Sequence, residues 1–181
     1  PLVATEAQLW LVRAQVQLGW LYDAEDVLRQ SEKMVLPSRL QRERDLTLAH
    51  FHLAQKQYAL ALPYLNQAAR AASHHFDKAR LYYLLAQVNM LLQKKQDAYR
   101  ALERCIAQNP PYAMAFQARI LQTEALTNRQ NSHTMLRKLQ RMTKDPNNAD
   151  YLDQIYYAQG NVHLAQNDTS AAIKCYETGR F

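Results

Sequence analysis

The sequence of 181 residues predicts an all-α protein, a solenoid of about five helix-turn-helix units forming one repeat domain. Three observations carry that expectation. The chain holds 3 glycines, where average usage of about 7% would give about 13. Alanine, leucine and glutamine, all good helix formers, together supply about two-fifths of it. Alanines in near-identical settings recur at Ala24, Ala61 and Ala98 at a step of 37, and Ala172 follows after two more such steps.

The units follow in order. The first, about residues 5–37, carries Leu11, Val12, Gly19, Ala24 and Leu28, with LGWLY as the turn between its helices. The second, about 42–75, repeats the pattern with Leu48, Ala49, Tyr58, Ala61 and Leu65. In the third, about 79–111, Tyr82, Leu85, Ala86, Ala98 and Leu102 precede the helix stop at Pro110. The fifth, about 150–181, keeps Tyr156, Gly160, Ala172 and Tyr176. A fourth unit, about 113–147, keeps Pro146 but offers Gln122 and Thr134 where small residues are expected, so its helices are expected to cross differently. The small residue on each first helix lets the second approach closely, with alanine opposite and leucine or tyrosine one turn later filling the crossing. Asp145-Pro146-Asn147-Asn148 reads as a stop-and-turn cluster ahead of the fifth unit.

This pattern resembles the tetratricopeptide repeat, whose small, leucine, alanine and proline slots recur every ~34 residues. The resemblance implies a right-handed superhelix. The roughly three extra residues per unit are expected to lengthen the turns between repeats. A narrower likeness lies in Asn109-Pro110-Pro111-Tyr112-Ala113-Met114-Ala115-Phe116 with Arg119, and in Lys144-Asp145-Pro146-Asn147-Asn148 through Tyr151-Leu152-Asp153-Gln154-Ile155-Tyr156-Tyr157-Ala158. With the opening LWLVRAQVQLGWLYDAEDVL, these stretches are similar to the tetratricopeptide lipoproteins of the Bacteroidetes type IX secretion and gliding machinery, the PorW/SprE type. That resemblance implies a periplasmic protein tethered to the outer membrane and contacting other machinery subunits. The lipid anchor would lie outside this stretch, which starts without Met, stops at YETGRF and reads as a piece of a larger protein.

In a stacked array the first helices line the inner face. One residue past each small slot stand Arg13, His50, Gln87, Thr123 and Asn161; three before it stand Leu9, Leu46, Tyr83, Arg119 and Tyr157. Polar donors beside aromatic surface suit an extended peptide, whose backbone and side chains they would meet respectively. The same side chains could also simply be solvated or covered by a neighbouring segment.

Charge adds an asymmetry. The net charge is +6, and the window from Arg119 to Lys144 alone is +5, through Arg119, Arg129, Arg137, Lys138, Arg141 and Lys144 against Glu124. The basic residues Arg129, Arg137, Lys138, Arg141 and Lys144 read as a solvated helix back or as a docking patch for an acidic protein surface. Nucleic acid fits less well, because no aromatics interleave with them. A cytoplasmic regulator or RNA-associated adaptor using this unit is the alternative reading.

Catalysis finds no constellation. Too few glycines exist for a phosphate loop, a dinucleotide fingerprint or a nucleophile elbow. His50 and His52 would point about 200° apart on a helix and cannot share a metal. Cys105 and Cys175, far apart in the chain, fall on second helices as packing residues and form no zinc motif. The expectation is a non-enzymatic scaffold with no cofactor, no metal and protein partners. No run approaches the roughly 20 apolar residues of a membrane span.

Overall fold

The computed structural model describes residues 2–31, 35–126 and 131–179, and the described residues are helical with no strand. Ten α-helices run as five consecutive pairs: α1 (Leu2–Leu18) with α2 (Leu21–Ser31), α3 (Ser38–Ala54) with α4 (Tyr58–Ala71), α5 (His75–Leu91) with α6 (Lys95–Ile106), α7 (Tyr112–Leu126) with α8 (Ser132–Met142), and α9 (Leu152–Ala165) with α10 (Thr169–Thr178). A 3-10 turn, Pro146–Tyr151, joins α8 to α9. The helices of the second and third pairs start at Ser38 and His75, about a turn ahead of the unit starts near 42 and 79 expected from the sequence.

The repeat slots form the core. Ala24, Ala61 and Ala98 are completely buried and Ala172 nearly so, facing Val12, Ala49, Ala86 and Gly160 on the partner helices. Leu28, Leu65 and Leu102 close the crossings one turn later. Each pair then packs on its neighbour: α3 against α1 and α2, α5 against α4, α7 against α6, and α9 against both α7 and α8. The result is a linear array in which every unit depends on the next.

The turn inside each pair uses one left-handed residue at a fixed place. Gly19 (φ 78°), Lys56 (φ 58°), Gln93 (φ 58°) and Asn167 (φ 64°) follow the same step of 37, and residue 130, the fourth-unit counterpart, lies outside the described residues. Glycine scarcity therefore does not mean that left-handed turns are scarce; three of the four are made by side-chain-bearing residues. A left-handed L-residue costs about 1–2 kcal/mol, part of which glycine gives back in lost chain entropy. Lys56→Gly and Gln93→Gly are each expected to raise stability by about 0.5–1 kcal/mol in urea titrations, with unchanged circular dichroism.

The fourth unit requires a correction of register. Steps of 37 from Ala86 and Ala98 land on Thr123 and Met135, not on Gln122 and Thr134. Thr123 is fully buried, Met135 is half-buried in the core and Thr134 is exposed. The crossing slots of this pair thus hold a threonine and a methionine where the other units place valine, alanine or glycine opposite alanine. The backbone of α8 lies against α9 and stays farther from α7 than the second helix does from the first in every other pair. Leu139 and Met142 pack through their side chains with Phe116 of α7 and with Ile155 and Val162 of α9.

The Asp145-Pro146-Asn147-Asn148 cluster makes the turn expected of it. Asp145 Oδ1 accepts the Asn147 amide at 3.0 Å. Asn148, buried, donates through Nδ2 to the Met142 carbonyl at 2.7 Å and accepts the Tyr112 hydroxyl at 2.5 Å. One asparagine thus ends α8 and ties the start of α7 to the start of the fifth unit.

Candidate functional site

The first helices carry the face on which a partner is expected, and the fold distributes that face over several distinct surroundings. At its N-terminal part, Arg13 reaches from α1 to α3. Its Nη2 donates to Glu43 Oε2 at 2.8 Å and to the Glu43 carbonyl at 3.2 Å, while Nε donates to Thr47 Oγ1 at 2.9 Å. The guanidinium also sits 4.7 Å from the Trp10 ring centroid. Arg13 is therefore a brace between units and not an open donor.

His50 is half-buried nearby, and burial, followed by the positive charge of Arg13, pushes its imidazole below the usual histidine range. The folded state thus prefers neutral His50, and the unfolded chain binds the extra proton. Stability from this residue is present above the ordinary histidine pKa of 6.5 and is lost as pH falls below it. His50→Gln is expected to flatten the loss of thermal stability between about pH 7 and pH 5, read from melts across that range.

Two of the expected residues are corrected outright. Leu9 is 2% exposed and Thr123 is 0% exposed, so neither can meet a partner. Leu9 is buried on α1, and Thr123 occupies the small slot itself. The same shift moves Arg119 off the repeat position, which belongs to Ile120, and gives the outward slot to Glu124. Glu124 is half-buried, and desolvation raises its carboxyl above the usual range.

The remaining residues keep some exposure. Tyr83 is half-buried, its hydroxyl pushed up by burial and then by Cys105 and Glu124, while Gln87 is exposed. Tyr157 is 59% exposed, and Asn161 accepts the Tyr176 hydroxyl at 2.9 Å. Tyr157 and Asn161 line a hollow of about 430 Å³ with Leu164 and Tyr176. Leu46 lines a larger groove of about 470 Å³ between α3, the end of α4 and α5.

That groove contains residues the repeat slots do not mark. Leu46, Leu81 and Leu84 give it an apolar floor; Arg42, Arg80 and His74 stand against Glu43 and Asp77 around it. Glu43 and Arg80 share one repeat position, three residues before the Leu46/Tyr83 slot, so a third row counted along each first helix would have found them. Leu46 is thus the expected partner-facing residue that lines the larger of these two hollows.

The basic patch is thinner than its sequence. Arg137, Arg141 and Lys144 are exposed and, among the described residues, stand in no ion pair. Lys138 turns inward: half-buried, it donates from Nζ to Gln122 Oε1 at 3.1 Å, and burial lowers its ammonium below the usual lysine range. Arg129 lies outside the described residues. Burial raises the Cys105 thiol to about 11, so at neutral pH it is a packed thiol and not a nucleophile. Among the described residues no group of three or more His, Cys, Asp or Glu side chains could hold a metal, and no helix is long and apolar enough to cross a membrane.

Comparison with known proteins matches this geometry. No curated protein matches the sequence. Two crystal structures of nearly identical TPR-like repeats from Podosopora anserina, which carry the name of a kinesin light chain, share the fold. One aligns with a TM-score of 0.66 at 17% identity over 99% of this chain and 95% of its own; the other with 0.65 at 18% over 97% and 92%. The family model of the tetratricopeptide repeat matches residues 79–112 and 153–179, the third and fifth helix pairs. The chain is an α-solenoid of TPR-like helix pairs, with tetratricopeptide repeats recognisable in two of its five units.

Proposed function

We propose that the protein is a non-enzymatic scaffold that holds an extended segment of a partner protein along its first helices. The observation that carries this reading is the groove between α3, α4 and α5. Its leucine floor can take apolar side chains, while Arg42, Arg80 and the acidic groups around it can meet the backbone and polar side chains of a peptide. Tetratricopeptide repeats generally bind proteins or peptides, which agrees with this use of the fold. The likeness of the NPPYAMAF and KDPNNADYLDQIYYA stretches to type IX secretion lipoproteins supports a place among the subunits of that machinery, on the periplasmic side of an outer membrane.

The test is site-specific photo-crosslinking from position 46 in a secreting cell. The expected product joins the protein to another subunit of the machinery, and Arg80→Glu with Leu84→Glu removes it. Products formed only with cytoplasmic proteins, or unchanged by those substitutions, would overturn the proposal. An RNA-binding use of the fourth unit is less well supported, because the inward turn of Lys138 leaves Arg137, Arg141 and Lys144 as the exposed cations among the described residues of that patch.

A further inference from the structure

The second and third units enclose another hollow, on a different side of α5 from the groove at Leu46. It has a volume of about 350 Å³ and lies between the second helices α4 and α6. Tyr82, Leu85 and Asn89 reach it from α5, about a third of a turn round that helix from Asp77, Arg80, Leu81 and Leu84 of the first groove.

Its rim is basic. Lys94, Arg100 and Arg104 border it, against Asp97 as the one carboxylate among the described lining residues. Asp97 is 3.9 Å from Arg100, too far for a hydrogen bond, and Lys94 and Arg104 stand in no ion pair among the described residues. The Arg104 guanidinium sits 5.8 Å from the Tyr82 ring centroid, a contact that places it without using its N–H donors. The floor carries acceptors. Asn66 Nδ2 donates to the Leu62 carbonyl at 3.0 Å and Asn89 Nδ2 to the Leu85 carbonyl at 2.8 Å. Each amide is thereby oriented on its own helix, and its oxygen is the acceptor offered to the hollow.

Helix packing does not require these cations, since the second unit holds Gln57, Pro63 and Gln67 at the places of Lys94, Arg100 and Arg104. From the third unit onward the charge persists. Arg137 and Arg141 of α8 stand one step of 37 beyond Arg100 and Arg104, Lys174 of α10 one step beyond Arg137, and all are exposed. The hollow is the enclosed start of a basic row carried by the second helices.

We infer that this hollow binds an extended acidic segment of a partner protein, laid along α6 with alternate carboxylates on Arg100 and Arg104. These two arginines are four residues apart, about 6 Å along the helix axis. Alternate side chains of an extended segment point the same way at a spacing of about 6.6 Å, which matches. The backbone N–H groups of such a segment meet the amide oxygens of Asn66 and Asn89, for which a bare phosphate has no donor. Nucleic acid fits worse, because Tyr82, the ring at the site, is 7% exposed beside Arg104 and offers no stacking face.

Fluorescence anisotropy of the 181-residue chain with a labelled peptide of alternating glutamate and serine tests the inference. Arg100→Gln with Arg104→Gln changes exposed side chains, and circular dichroism checks that this variant folds. Its affinity for the peptide is expected to fall about tenfold. Arg42→Gln with Arg80→Gln, which removes the same charge from the groove at Leu46, is expected to leave the affinity unchanged. A peptide with the same glutamates placed consecutively offers only half of them to one side and should bind more weakly. No binding, an equal loss in the two double variants, a loss confined to the second, or equal binding of the two peptides would overturn the inference. So would a uridine oligonucleotide of equal charge that displaces the peptide at a lower concentration, which would mark the row as a phosphate-binding surface.

Discussion

Phe116→Ala is expected to destabilise the C-terminal part of the array by about 3–5 kcal/mol, the range for removing a fully buried phenylalanine. Phe116 is 0% exposed and stacks on Tyr151 with ring centroids 4.5 Å apart. It is the largest fully buried side chain among the described residues, and it joins α7 to the helices that follow. Phe116 and Ile120 carry the apolar contact of α7 with Leu139 of α8 and with Ile155, Ala158 and Val162 of α9. Nearest-neighbour coupling confines the loss to that region. Both tryptophans, Trp10 and Trp20, lie in the first unit, so their fluorescence reports that end while far-ultraviolet circular dichroism reports all five. In urea, the variant should lose part of its helical signal at a lower midpoint while the tryptophan transition stays near its wild-type position. Coincident transitions that shift together would show that the array unfolds as one block.

The second large effect is a reciprocal one at the fifth crossing. A methyl group on Gly160 would overlap the Tyr176 ring, lying only 2.6 Å from Cδ1 and 2.7 Å from Cζ. Alanine is the better helix former by about 1 kcal/mol, but overpacking of this kind costs about 1–3 kcal/mol and here requires the ring to leave its bond with Asn161. Gly160→Ala is therefore expected to destabilise. In the first three units the equivalent positions hold Val12, Ala49 and Ala86 opposite Leu28, Leu65 and Leu102. Adding Tyr176→Leu recreates that arrangement and should restore most of the lost stability. A double-mutant cycle should give a coupling energy of about 1 kcal/mol or more in favour of the pair; additivity would show that the ring is not what excludes the methyl group.

Much of the architecture is legible because the crossing geometry leaves few choices. Ala24, Ala61, Ala98 and Ala172 are legible from spacing alone, since only a small residue allows two helices to meet there. The fourth unit is harder. Thr123 and Met135 do not resemble the residues that fill those slots elsewhere, so nothing in that stretch anchors the register, and Gln122 and Thr134 fall one residue early. The candidate site is less legible for a different reason. Whether Leu9 faces a groove or the core depends on how other helices pack against α1, which no property of α1 alone reveals. Arg13 and Lys138 have sequence contexts of open cations, but long side chains find partners on adjacent helices, Glu43 and Thr47 for one and Gln122 for the other. The groove at Leu46 arises between elements that the sequence separates by a full unit.

The sparse backbone contact between α7 and α8 has a mechanical consequence. A solenoid behaves as a spring whose stiffness is the series combination of its units, and such a spring extends first where a unit is softest. Here the soft turn of the coil is the fourth, where the paired helices share the least backbone contact. Under a pull along the axis, the stretch up to α6 is expected to move as one stiff segment and α9–α10 as another, with the strain absorbed between them. A molecule held at both ends in a load-bearing assembly would thus have a compliant joint at a defined place, the unit whose crossing slots hold Thr123 and Met135.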